Sequence, residues 1–112
     1  MTVLNISAEA FLQFDSVILI DVREASEFVC GSVSGAVNYP LSGFDVESMV
    51  RELGLNPEEV QVPIGFICRS GRRSLEAARK FRFFGFANVY NLEGGMLSWE
   101  QSGLPVREAH GR

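Results

Sequence analysis

Short apolar runs alternate with amphipathic stretches along the chain, and no linker or low-complexity tract interrupts them. Val17-Ile18-Leu19-Ile20 is apolar at every position and largely β-branched, as expected of a strand covered on both faces. Ile64 to Ile67 reads the same way, and Ala87 to Tyr90 is a weaker third run. Ala36-Val37-Asn38 predicts another short strand, ended by Pro40, and Leu4 to Ile6 an edge strand. Between these runs the period becomes helical. Ser7 is placed to cap a helix carrying Phe11, Leu12 and Phe14. From Asp45 to Leu53, the residues Val46, Met49, Val50 and Leu53 form one apolar stripe, and Gly54 marks its stop. Ser74 to Phe84 repeats the pattern, with Ala77, Ala78, Phe81 and Phe84 on one face and Gly85 at the end. A last helix is predicted over Met96 to Gln101, closed by Gly103 and Pro105. Met49, Phe81, Phe84 and Trp99 read as core.

Strands alternating with helices predict a single α/β domain. Its centre is a mostly parallel sheet of about five strands with helices on both faces. The length of 112 residues, 46% hydrophobic and 21% charged, suits one ordinary globular unit. No apolar run approaches the roughly 20 residues of a membrane span. The segment Met1 to Asn5 lacks the basic start and apolar stretch of a secretory signal. A cytoplasmic location with no membrane partner is the expectation.

Charge narrows the ligand class. A net charge of −4 argues against general nucleic-acid binding. Yet Arg69, Arg72, Arg73, Arg79, Lys80 and Arg82 crowd into one stretch, and a local cationic spot suits a small anion. For Arg79, Lys80 and Arg82 a solvated helix face is the preferred reading. The two cysteines, Cys30 and Cys68, are too few for a disulfide scaffold, and His110 is the one histidine. Neither a metal nor an organic cofactor is expected.

The candidate chemistry sits at Cys68. The run Cys68-Arg69-Ser70-Gly71-Arg72-Arg73-Ser74 follows an apolar strand and leads into a helix. A helix start with nearby cations lowers a thiol pKa, and the thiolate is the reactive form. Free amides at the same start would hold an anion beside the sulfur. In parallel sheets ligands bind beyond the carboxyl ends of the strands, where this thiol falls. The reading requires a sulfur that solvent can reach. Against it stand an inert buried cysteine and a plain surface role for each arginine. Ser74 is either the helix cap or a partner of the sulfur, the cap being simpler. Cys30 becomes a second reactive thiol only if it lies near Cys68.

Four ordered blocks make the chain resemble a single-domain rhodanese, of the rhodanese-like sulfurtransferase family. They are Leu19-Ile20-Asp21-Val22-Arg23 with Glu27-Phe28, then Gly31 to Pro40, the Cys68 loop, and Gly85 to Met96 running on through Trp99 and Gly103-Leu104-Pro105-Val106. Ser32 and Ser34 replace a histidine and a proline of the family pattern, in a packing and turn region.

The resemblance implies an enzyme of the thiosulfate sulfurtransferase type. Cys68 would take the outer sulfur of thiosulfate or a related small anionic donor as a persulfide. A thiol or protein acceptor, or cyanide in an assay, would then remove it. Arg69, Ser70, Gly71, Arg72, Arg73 and Ser74 would form the substrate-binding loop, with Arg69 and Arg73 on sulfonate oxygens. Asp21 and Arg23 would support that loop by an ion pair or hydrogen bonds to it, and Glu27 would pair with one of its arginines. The loop from Cys68 to Arg73 has the family's six-residue sulfur-transfer length, whereas related phosphatases and arsenate reductases use seven. A non-catalytic rhodanese-like binding or regulatory module is the main alternative, and a phosphatase or arsenate reductase the lesser one. The tail from Arg107 to Arg112 is expected to fray.

Overall fold

Residues 3–107 are described by the computed structural model. Their centre is a sheet of five parallel strands, β1 (Leu4–Ile6), β2 (Ile18–Asp21), β3 (Val37–Asn38), β4 (Ile64–Ile67) and β5 (Val89–Leu92), in the order β1-β5-β4-β2-β3. The predicted strands are all present. The one inferred at Ala87 to Tyr90 lies further along, because β4 pairs Ile64 with Val89 and Phe66 with Asn91.

Alternate residues of a strand face opposite sides, and the apolar runs use both. Ile20 and Phe66 pack with Met49, Ala77, Ala78 and Phe81 of the helices α3 (Val46–Leu53) and α4 (Arg72–Phe84). Leu19, Ile67 and Leu92 pack on the other side with Ala8 and Phe11 of α1 (Ala8–Phe11) and Met96 and Trp99 of α5 (Gly95–Gln101). Ser7 caps α1 through its side chain, and Gly54 ends α3 in the left-handed conformation, both as the sequence predicts.

Three expectations change. Phe84 shares a helical face with Phe81 but is 42% exposed, because α4 ends there and Phe84 reaches past the core to stack on Phe86. A short helix, α2 (Ala25–Phe28), was not foreseen, since none of its residues is buried and no apolar stripe marks it. Arg107 is not frayed: it exchanges two backbone hydrogen bonds with Ser32, at 2.9 and 2.7 Å. The remainder of that tail, 108–112, lies outside the described residues.

The topology fixes where chemistry can sit. From β2 the chain leaves toward β3, and from β4 it leaves toward β5 on the opposite side. The carboxyl ends of β2 and β4 therefore flank a switch point, where parallel sheets open a crevice. Asp21 ends β2 and Cys68 follows β4.

Candidate active site

After Ile67 the chain turns sharply through Cys68 to Gly71 and enters α4 at Arg72. Gly71 stands at φ +101°, and a Cβ there would approach the Gly94 amide nitrogen to 3.2 Å. A turn this tight against β5 and α5 requires glycine. The bend points amides at the sulfur: Gly71 donates to Cys68 Sγ at 3.1 Å and Ser74 at 3.3 Å. Burial pushes the thiol pKa up, but hydrogen bonds from Ser74 and from the amides of Gly71 and Ser70 outweigh it. The net position is below the ordinary value.

The donors here are neutral. Among the described residues no guanidinium is bonded to Sγ; Arg69, Ser70 and Arg72 are exposed, and Arg73 is directed elsewhere. Its fork meets Glu27 at 2.9 and 3.2 Å, and that pairing holds the Glu27 carboxyl down to about 2. The pairing guessed for Glu27 is therefore present, and it takes the Arg73 head group away from the sulfonate-binding position expected of it.

Ser74 is not the helix cap. The helix starts two residues earlier, behind Gly71, which leaves Ser74 buried in the first turn with its hydroxyl donating to Asn91 Oδ1. Asn91 in turn donates through Nδ2 to the Gly71 carbonyl at 3.2 Å and to Asn5 Oδ1 at 2.9 Å. Sequence reasoning missed this buried asparagine, although a polar residue inside an otherwise apolar strand was the available signal.

Asp21 and Arg23 form a buried ion pair, Arg23 Nη2 to Asp21 Oδ2 at 2.8 Å. Their bonds do not reach the Cys68 loop: Arg23 also donates through Nη2 to the Gly31 carbonyl at 2.7 Å. Support reaches the strand instead, because the Val22 amide between them bonds the Ile67 carbonyl at 3.0 Å, immediately before Cys68.

Access is the main departure from the sequence reading. Cys68 is 1% exposed, so the sulfur is closed over by its own cradle in this conformation. A cleft of about 320 Å³ opens beside the loop, lined by Arg69, Cys30, Glu27, Glu100 and Met96 but not by Cys68. Cys30 is exposed and free there. The largest groove, about 970 Å³, lies along α3 and the later turns of α4 near Phe83 and Lys80. It is lined by no thiol. Among the described residues no helix is long and apolar enough to cross a membrane.

Comparison with known proteins agrees with this architecture. The rhodanese-like domain model matches residues 7–102. The putative sulfurtransferase YtwF of Bacillus subtilis is 38% identical over 87 residues, covering 78% of this chain and 77% of the relative. The putative sulfur carrier protein YrkF of the same organism is 40% identical over 99 residues, 85% of this chain but 50% of that protein. The chain thus spans about half the length of the first curated relatives it matches. In structure it superposes on a rhodanese-related protein from Thermoplasma volcanium with a TM-score of 0.74, 28% identity, and coverage of 93% of this chain and 97% of the other. The chain belongs to the rhodanese-like domain family, whose members among its relatives include small sulfurtransferases.

Proposed function

We propose that this chain is a sulfurtransferase that carries a sulfane sulfur as a persulfide on Cys68. The amide cradle around Sγ carries the reading, because oriented neutral donors stabilise an anionic sulfur without neutralising it. In this reading the bend opens to admit thiosulfate, or a donor of the same type, which presents its outer sulfur to the thiolate. A bond forms between Sγ and that sulfur while the donor's S–S bond breaks, and sulfite leaves with the electron pair. An acceptor thiolate or cyanide then attacks the outer sulfur, and the pair of the breaking bond returns to Cys68. Covalent catalysis of this kind proceeds by two displacements with ping-pong kinetics.

Ser70, Gly71, Arg72 and Ser74 serve as loop donors in this scheme. Arg69, exposed at the cleft, is the guanidinium placed to receive sulfonate oxygens. Arg73 supports the loop through Glu27, and Asp21 with Arg23 supports the adjoining strand end. The chain's relatives bear names of sulfurtransferases and sulfur carriers, which favours a thiol or a protein as the cellular acceptor.

The closed sulfur favours one second reading, a rhodanese-like binding module that does not turn over. Incubation with thiosulfate, removal of the excess and intact mass measurement separate the two. Transfer is expected to add one sulfur atom, removable by cyanide and absent in Cys68→Ser. A folded protein that gains no mass is a binding module.

A further inference from the structure

Three carbonyls of the bend that carries the sulfur are held from behind, by β5 and the first turn of α5. Every peptide bond among the described residues is trans, so each C=O points opposite to the N–H of the next residue. The Cys68 carbonyl accepts from the Met96 amide at 2.8 Å, and the Arg69 carbonyl from the Leu97 amide at 3.1 Å. Asn91 holds the Gly71 carbonyl in the same way. The amides of Arg69, Ser70 and Arg72 are thereby turned away from β5 and α5. The Ser70 amide is one of those that lower the thiol pKa.

Gly95 lets the first turn of α5 come this close. A Cβ at Gly95 would stand 2.3 Å from the Cys68 carbonyl oxygen and 2.7 Å from that of Arg69, distances no side chain tolerates. Its neighbour Gly94 also has a positive φ, +77° against +55° for Gly95. A Cβ at Gly94, however, would strike the Ser98 side chain and not the loop.

We infer that Gly95 is a positioning residue for Cys68: it seats the α5 amides against the Cys68 and Arg69 carbonyls and so fixes the bend from which the Gly71 and Ser74 amides reach the sulfur. The two-glycine turn thus acts on reactivity as well as on packing. This inference rests on the reading of Cys68 as the nucleophile, and its test does not require sulfur transfer.

The test compares Gly95→Ala with Gly94→Ala, both in a Cys30→Ser background so that one thiol titrates. Thiolate absorbance in the ultraviolet is followed against pH, with thermal unfolding recorded alongside. Gly95→Ala is expected to raise the midpoint by about one pH unit, leaving about tenfold less thiolate at any pH below both midpoints. Gly94→Ala, a similar backbone insult in the same turn, is expected to lose thermal stability while its midpoint stays at the wild-type value. A folded Gly95→Ala protein with an unmoved midpoint overturns the inference, as does a Gly94→Ala protein whose midpoint moves as far.

If Gly95→Ala does not fold, the Met96 and Leu97 amide resonances of the unsubstituted chain decide. They are expected to titrate with the Cys68 midpoint, since polarisation passes along the shared peptides; flat curves overturn the inference. Thiosulfate loading keeps the two ideas apart. No mass gain alongside a raised Gly95→Ala midpoint ends the transferase reading and leaves this one standing. Normal loading with an unmoved midpoint does the reverse.

Discussion

Two neighbouring strand ends bury an anionic group in opposite ways. At the end of β2, Asp21 is fully buried and faces a complete positive charge, the Arg23 fork, through several short hydrogen bonds. At the end of β4, Cys68 is almost as buried but accepts its hydrogen bonds from the neutral amides of Gly71 and Ser74. The first arrangement neutralises its anion and leaves it inert. The second favours the anion through neutral donors, with no guanidinium bonded to the sulfur among the described residues, which suits a nucleophile. Side chains stabilise the scaffold at one end, and backbone dipoles tune chemistry at the other.

Breaking the first end has the largest expected effect. Arg23→Ala strands the Asp21 carboxylate, and loss of one partner of a buried pair costs about 3–5 kcal/mol. Urea unfolding measures it, and a variant as stable as wild type would show that this end does not need its charge. Ser74→Ala tests the second end. It removes the hydroxyl that anchors Asn91 beside the sulfur's bend, with an expected cost of about 1–3 kcal/mol and a raised Cys68 midpoint. Loss of stability with an unmoved midpoint would make Ser74 scaffold only.

The smallest effect belongs to Glu27 and Arg73, whose side chains are 34% and 36% exposed. A solvated pair of this kind is worth at most about 1 kcal/mol. Arg73 lowers the Glu27 pKa from 4.5 to about 2, so the contribution is complete above about pH 4.5 and fades as pH falls toward 2. Stability measured between pH 5 and pH 2 is expected to fall slightly more steeply in wild type than in Glu27→Gln. Identical slopes would remove the pair from the loop's support.

The contrast also explains what the sequence could reveal. Strand β4, the thiol after it and the helix that follows were legible because each is marked by local pattern: an apolar run, a glycine turn, a 3.6-residue stripe. The amides on Sγ were legible in kind, since any helix start offers them. The partners of side chains were not, because they depend on which distant elements meet. Arg73 turned to Glu27 on α2, a helix with no buried face to announce it. Ser74 lost the capping role once Gly71 started the helix earlier. Phe84 kept its helical period yet ran past the edge of the core. The closed state of Cys68 is a property of packing around the whole turn, and no residue type signals it.

The most direct measurement is the ultraviolet thiolate titration of Cys68 in Cys30→Ser, which needs no reagent to enter the closed site. Neutral donors that favour the anion place the midpoint below the roughly 8.5 of a free cysteine. A midpoint at or above that value would mean that burial outweighs the amides, contradicting the account of β4's end as a prepared nucleophile.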